Sequence, residues 1–124
     1  MFKNEFGMKR VDVFIAGKIL EACGKKVNVS PVIAKESAKL PLAIYACESF
    51  EAVHTKTKLE GYWSMYVIDI YTETHEEGSE LADKVIGTLD GVRNDFVEQC
   101  TIESGSVDYT NCYVHSLKFK IGHE

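Results

Sequence analysis

Residues 59–91 read LEGYWSMYVIDIYTETHEEGSELADKVIGTLDG, and this stretch decides the fold. Side chains of a strand point alternately to the two faces of a sheet. Between residues 59 and 71, apolar side chains occupy odd and even positions alike, so both faces of the strand are largely apolar. The pattern predicts a central strand that is covered on both sides. The odd positions carry Leu59, Trp63, Met65, Val67 and Tyr71, and the even ones carry Tyr62, Tyr66, Ile68 and Ile70.

The same stretch then turns directly into an amphipathic helix. Thr74 can cap the first free amides of a helix, and Glu77, three residues later, can reach back to the Thr74 amide. Gly91 is a typical residue just beyond a helix end. We therefore predict a helix over residues 74–90 that packs on one face of the sheet. Its apolar stripe consists of Leu81, Ala82, Val85, Ile86 and Leu89.

Upstream of this unit, the sequence predicts one more helix and further strands. After a loose lead-in over residues 1–7, Val11, Ile15 and Ile19 follow the period of a helix that begins near Met8 and ends at Gly24. Residues 25–29 suit a short strand, and residues 32–40 an irregular crossing. Residues 42–53 alternate as a strand. The polar link 54–58 lacks a tight-hairpin signature, so we expect a longer, mobile loop between two antiparallel strands.

Downstream, two more strands complete the predicted sheet. Phe96, Cys100 and Ile102 indicate one strand, and residues 104–108 have the composition of a turn. Residues 113–121 alternate as a half-exposed strand. The element order α-β-β-α-β-β predicts an α+β fold with a mostly antiparallel sheet of about four strands and two helices. We expect one domain over residues 1–124.

Composition limits the classes of function. The chain has 124 residues, is 45% hydrophobic and carries a formal net charge of −5. This size suffices for a core without disulfides or metal, and an acidic chain without a basic patch is a poor ligand for nucleic acid phosphates. No apolar run has the length of a membrane span, and no secretory leader is recognisable. We expect a cytoplasmic protein whose four cysteines stay reduced.

No residue pattern predicts catalysis, cofactor binding or metal binding. The four histidines lack any metal-ligand spacing, and no glycine-rich phosphate loop occurs. Asp69 lies between two isoleucines, where a covered carboxylate could act as a base, but an outward orientation near the strand end is favoured. Cys100 and Cys112 would face each other across a turn centred on Ser106, which indicates packing more than chemistry.

The order of these features resembles the tail-completion or tail-terminator (head–tail joining) proteins of long-tailed bacteriophages and prophages. The similar features are Lys39-Leu40-Pro41 leading into a strand, the polar loop 55–58, a strand ending in residues 68–71, the helix 74–90 and the last two strands. The resemblance covers residues 11–121, and residues 28–38 depart from it most.

This resemblance implies a small subunit that is neither an enzyme nor a cofactor-binding protein. It implies a homo-oligomeric ring, usually of six, at the head-proximal end of the tail tube, with the tail tube protein and the head connector protein as partners. The protein would move from the host cytoplasm into the virion tail. Surplus apolar area on a two-sided strand also favours subunit contacts. The candidate interface residues are His54, Thr55, Lys56, Thr57, Lys58, Tyr62, Trp63 and Tyr66.

Two other functions stay open on sequence grounds. One is a small enzyme or ligand-binding domain with a pocket that uses Asp69, His115 or Cys112, and a deep apolar pocket with convergent polar groups would favour it. The other is an interaction module that dimerises through the Tyr/Trp strand, which a two-fold contact in solution would favour.

Overall fold

Helices on one face of a mixed sheet make an α+β structure, which confirms the predicted fold class. The computed structural model describes residues 7–31, 39–56 and 58–124. The described sheet has five strands in the order β1-β2-β3-β5-β4, one more than expected. The elements are α1 (Gly7–Cys23), β1 (Asn28–Pro31), β2 (Leu42–His54), β3 (Leu59–Thr72), α2 (His75–Leu89), β4 (Val97–Tyr109) and β5 (Tyr113–His123).

Strand β3 is the central strand of the sheet, as predicted. It pairs antiparallel with β2 on one side and with β5 on the other. Its even positions from Ser64 to Thr72 are buried beneath the helices, whereas its odd positions from Trp63 to Tyr71 are half-exposed. We expected both faces of β3 to be covered, but the described residues cover only one face. The second face is left partly open to solvent.

The additional strand is β1, which lies at one edge of the sheet. It runs parallel to β2 and pairs with residues from Leu42 to Tyr45. The sequence predicted a short strand here, but at residues 25–29 rather than at Asn28–Pro31. The remaining described pairs are antiparallel, so the mostly antiparallel sheet is confirmed. Most of the predicted lead-in, residues 1–6, and most of the crossing, residues 32–38, lie outside the described part of the chain.

Local capping explains where α2 begins and ends. Thr74 is its N-cap and accepts a hydrogen bond of 3.2 Å from the Glu77 amide. Glu76 and Glu77 lie in the first turn, where their negative charge interacts favourably with the positive end of the helix dipole. At the other end, Gly91 has a φ of 82°, a left-handed conformation that glycine adopts without a Cβ clash. The predicted helix is confirmed to within a residue at each end.

The core lies between the two helices and one face of the sheet. Helix α1 buries its stripe of Val11, Ile15 and Ile19 as predicted. From α2, Leu81, Val85 and Leu89 are buried, which confirms the predicted packing face. Each such side chain contributes about 1.5–3 kcal/mol by leaving water. The sheet contributes Tyr66, Ile68, Ile70, Leu117, Phe119 and Ile121 to this core.

The predicted turn at residues 104–108 is wrong, because β4 continues through it to Tyr109. Gly105 lies inside the strand, where an added Cβ would come within 2.9 Å of the Ser116 carbonyl oxygen. The glycine therefore allows a close approach of two strands rather than a turn. The actual turn follows at residues 110–112. Consequently Cys100 pairs with Ile121 rather than facing Cys112.

Candidate functional site

The β2–β3 hairpin extends past the end of the sheet as an arm. We define the arm as residues 53–61, because β5 begins to pair with β3 only at Tyr62. A hydrogen bond of 2.9 Å from the Thr55 amide to the Lys58 carbonyl closes its tip. The link between the two antiparallel strands therefore lies at the predicted residues, but it is a short turn and not the longer loop that we expected. The described arm residues are exposed except Gly61.

The arm contains most of the predicted interface residues. His54, Thr55, Lys56 and Lys58 are exposed, and Thr57 lies outside the described residues. The arm is thus a polar, partly cationic extension, and its contacts with the rest of the subunit leave most of its surface exposed. A segment of this kind is available to a partner without unfolding anything else.

Two predicted aromatic residues flank the base of the arm, on opposite faces of the sheet. Tyr62 is half-buried between the Phe50 ring, at 5.8 Å between centroids, and the His123 ring, at 5.6 Å. Trp63 is half-exposed on the open face, with the Lys120 ammonium 4.7 Å from its ring centroid. Such a cation–π contact holds the indole flat against the sheet. Both rings keep part of their surface exposed.

Tyr66 does not belong to this surface, in contrast to the expectation from sequence. It is fully buried in the subunit, and its phenol donates a hydrogen bond to the Asp12 carboxylate on α1. Tyr66 lies on the even face of β3, which the helices cover.

The face of the sheet opposite the helices is half-exposed along β3. On β3 it is apolar except for Asp69, which accepts a hydrogen bond of 2.6 Å from the Ser116 hydroxyl. Lys118 on β5 forms an ion pair of 3.1 Å with Glu48 on β2. Asp69 therefore faces outward, as favoured from sequence. The β3 members of this face are Trp63, Met65, Val67, Asp69 and Tyr71.

The described sheet has two open edges, and the sequence pattern did not indicate either edge as a contact surface. Because β1 pairs only with the start of β2, the edge of β2 from residue 46 onward has no neighbouring strand among the described residues. Strand β4, with 13 residues, forms the other edge. Both edges carry exposed apolar side chains: Phe50 is 56% exposed, and Tyr109 on β4 is 58% exposed. Unpaired edges are sites where another chain can add.

Two buried histidines, His115 and His123, each form a hydrogen bond with a serine side chain. Ser64 Oγ lies 2.7 Å from His123 Nε2, and both residues are buried. This pair has the atoms of a nucleophile and a base, but Ser64 has no exposed surface. Burial lowers the pKa of His123. His115 contacts Ser79 through a 3.1 Å hydrogen bond, and burial together with His75 lowers its pKa.

The described cysteines and potential metal ligands form neither a reactive thiol site nor a metal-ligand cluster. All four cysteines are free, and burial raises the pKa of the Cys100 thiol to about 12. A thiol with a raised pKa is a poor nucleophile near neutral pH. Among the residues that the structure describes, no three histidine, cysteine or carboxylate side chains cluster as metal ligands. No described helix is both long enough and apolar enough to span a membrane.

Comparison with known proteins gives a similarity of fold. No protein-family model matches the sequence, and no curated protein matches it at a significant level. The structure is similar to a chain in a solved structure described as the virion of a native gene transfer agent (GTA) particle, with a TM-score of 0.60 and 14% sequence identity. The match covers 86% of this chain and 84% of that chain. At this identity the likeness concerns the fold.

Proposed function

We propose that this chain is a structural protein of a tailed, phage-like particle and that it acts as the tail-completion protein. Copies of the chain form a closed ring, of six subunits in the family that the sequence resembles, at the head-proximal end of the tail tube. The ring stops tube growth and joins the tail to the head. Its partners are further copies of itself, the tail tube protein and the head connector protein.

One observation carries this proposal: the fold is similar over 86% of the chain to a chain from a gene transfer agent virion. The sequence resemblance to tail-completion proteins supports the same role independently, because it was drawn from the order of motifs and not from coordinates. Together they favour a particle component over an enzyme.

The described surfaces suit a subunit that is covered on several sides. The semi-exposed apolar sheet face, the two strand edges and the arm point in different directions from the helices. A ring subunit can use these surfaces for neighbours on either side and for the tube and the connector. Within the arm and its base we assign contacts to His54, Thr55, Lys56, Thr57, Lys58, Tyr62 and Trp63.

The charge of the chain is compatible with this position. A net charge of −5 gives little attraction for nucleic acid phosphates, so a ring of such subunits can pass DNA without holding it. The protein is made in the host cytoplasm and ends in the virion tail. It acts by assembly and has no catalytic turnover.

The enzyme alternative has weaker support. The pairing of Ser64 with His123 is buried, and Asp69 and His115 lie on opposite faces of the sheet, because Asp69 is on the open face and His115 is buried under α2. Asp69 and His115 therefore do not converge on one pocket. The dimer alternative would use the tyrosine and tryptophan side chains of β3, but Tyr66 is buried within the subunit and cannot take part in such a contact.

The location of the protein in particles tests the proposal. A small tag at the C-terminus is too close to the buried His123, so the tag belongs at the N-terminus, before residue 7. Gold labelling of induced particles is expected at the junction of head and tail. Label spread over the capsid, label at the distal tip of the tail, or no label in purified particles would contradict the proposed role.

A further inference from the structure

The outer edge of β4 is covered along its first half and open along its second half. The Gly91 amide donates a hydrogen bond of 2.7 Å to the Cys100 carbonyl, and the Ile102 amide donates one of 3.0 Å to the Asp90 carboxylate. Residues 103–109 are all exposed, and no described strand pairs with their outer side. The chain that follows α2 thus protects this edge only as far as Ile102.

The strand pairing shows which residues of the open stretch direct their amide and carbonyl groups outward. In an antiparallel pair, opposite residues alternate between hydrogen-bonded and non-hydrogen-bonded pairs. Cys100 directs its carbonyl to Gly91 and away from its partner Ile121, so Ile121 bonds to β3 instead. Because β3 and β5 pair without a register shift, every second residue of β5 does the same, including His115. Its partner on β4, Val107, therefore directs its amide and carbonyl outward.

The opposite edge of the sheet has a matching open stretch on β2. Residues 49–53 are exposed, and β1 pairs only with residues 42–45. Because Ile121 bonds to β3, it uses the amide and carbonyl of its partner there, Ser64. Ser64 then makes no main-chain bond to its partner on β2, which is Phe50. Phe50 consequently directs its amide and carbonyl outward, as Val107 does at the other edge.

The two stretches match in direction and in spacing. Within the sheet, β2 runs antiparallel to β4, so a second copy with its helices on the same side presents its β2 antiparallel to this β4. When Phe50 lies opposite Val107, Ala52 lies opposite Gly105. Ala52 and Gly105 are each two residues away and have the same outward orientation. The two pairs therefore make four main-chain hydrogen bonds.

The exposed apolar side chains match in the same register. Phe50 and Val107 lie on the helix side of the sheet, because their strand partners Ser64 and His115 are buried there. Phe50 is 56% exposed, Val107 is 52% exposed, and Tyr109 on the same face is 58% exposed. The pairing places Phe50 against Val107 and diagonally beside Tyr109, so that all three lose water together.

The charges on the other face distinguish this register from the adjacent one. With Phe50 opposite Val107, Glu51 lies opposite Ser106. A shift of two residues would place Glu51 opposite Asp108, and like charges directly opposite each other destabilise a sheet. The charge pattern therefore favours the register that also covers the apolar side chains.

We propose that residues 104–108 of one copy pair with residues 49–53 of a second copy as an added antiparallel strand. Strands β3 and β5 separate the two edges within one copy, so the contact forms only between copies. The two edges are different surfaces, and the contact is therefore heterologous. It leaves each pair of copies with one free edge of either kind, which allows a ring to grow and close. The inference rests on the proposed function and specifies its subunit contact.

Proline at the outward-facing positions tests the contact. Ala52→Pro and Val107→Pro each remove one amide donor from an edge, and neither amide bonds within the sheet of its own copy. Each variant is expected to self-associate at least about tenfold more weakly than the wild type. A 1:1 mixture keeps one intact edge of either kind and should form dimers but nothing larger. Ala52→Ser and Val107→Ile, which keep the amides, are the matched controls. Analytical ultracentrifugation measures all samples, and circular dichroism checks their fold.

A disulfide tests the register without proline. In the proposed pairing, Glu51 and Ser106 form a non-hydrogen-bonded pair with Cα atoms about 4.5 Å apart, a distance that a disulfide spans. Oxidation of the concentrated variant with Glu51→Cys and Ser106→Cys is expected to link successive copies. Mass spectrometry of mixed ¹⁴N and ¹⁵N protein identifies the link between positions 51 and 106. Glu51→Cys with Asp108→Cys, one register away, is the matched control and should link far less.

Three results would overturn the contact. They are protein that stays monomeric up to about 1 mM, oligomers that both proline variants leave unchanged, and equal linking in the two cysteine variants. The same cysteine variant, expressed in the particles, separates the contact from the proposed function. Protein at the head–tail junction without the link between positions 51 and 106 would overturn the contact alone. The link in concentrated protein, with no protein at the junction, would overturn the proposed position alone.

Discussion

Tyr66 on β3 donates a hydrogen bond from its phenol to the carboxylate of Asp12 on α1. Tyr66 is fully buried, whereas Asp12 reaches the surface of the helix. Burial and the neighbouring carboxylate raise the pKa of Tyr66, so the phenol stays protonated and remains a donor. The bond is a polar contact that links α1 to the central strand.

Removal of this hydroxyl is expected to destabilise the protein measurably. Tyr66→Phe should lower the free energy of unfolding by about 1–2 kcal/mol, because a hydrogen bond to a charged group is lost while Asp12 regains water. Urea denaturation measures the change, and Tyr109→Phe, at an exposed ring, is the matched control. If the two variants had equal stability, the bond would contribute nothing to the fold.

The packing of α2 on the sheet gives a second prediction. Leu81 is 7% exposed in the middle of α2, whereas Leu20 on α1 is 48% exposed. Leu81→Ala is expected to cost about 2–5 kcal/mol, since it removes buried methyl groups and leaves a cavity. Leu20→Ala should cost well under about 1 kcal/mol, because leucine and alanine have similar helix propensities. Equal effects in the two variants would show that the α2 stripe does not face the core.

Acid is expected to weaken the fold through its buried histidines. Burial, and for His115 also the adjacent His75, lowers the pKa of His115 and His123. The unfolded chain therefore binds protons at a pH where the folded chain does not, so stability is complete above about pH 6.5 and falls as the pH drops through that value.

Denaturation at a series of pH values between 7.5 and 5.5 checks this sign. The decrease in unfolding free energy should be smaller in His115→Gln than in the wild type, because one of the two responsible groups is gone. His54→Gln, at an exposed position of the arm, should keep the full decrease. Stability that rose on acidification would contradict the burial of both imidazoles in their neutral form.

Regular patterns in the sequence predicted the helices and the central strand, because each rests on local physics. Thr74 and Gly91 mark the ends of α2 by capping chemistry that needs no tertiary context. The run of apolar residues at both odd and even positions in residues 59–71 likewise indicates a central strand from strand geometry alone. By contrast, Gly105 suggested a turn from composition, and only the approach of the Ser116 carbonyl shows why a glycine lies inside a strand.

The candidate contact surfaces were less predictable than the fold. Tyr66 shares its aromatic character with Tyr62 and Trp63, and because both faces of β3 are largely apolar in sequence, the pattern does not separate the covered face from the open one. A cleft beside Arg10 joins α1 to residues 94 and 96, which are far apart in sequence. No local pattern contains such a site, because it forms only when α1 packs beside residues that are distant in the sequence.

The arm should change its dynamics on assembly. In the free subunit the amides of residues 55–58 are expected to exchange rapidly with solvent, since the arm extends beyond β5 and has few buried contacts. Hydrogen exchange in assembled particles should show these amides protected, while the amides of α2 serve as an internal reference. Strong protection of the arm in a proven monomer would remove the reason for assigning it to a partner contact.

The central claim is that this chain ends the tail of a phage-like particle and joins it to a head. Deletion of the gene in the strain that carries it, followed by induction and electron microscopy of the lysate, tests this claim most directly. We predict unjoined, filled heads together with tails of uncontrolled length, and rescue of both defects by the wild-type gene in trans. Normal infectious particles from the deletion strain would contradict the account.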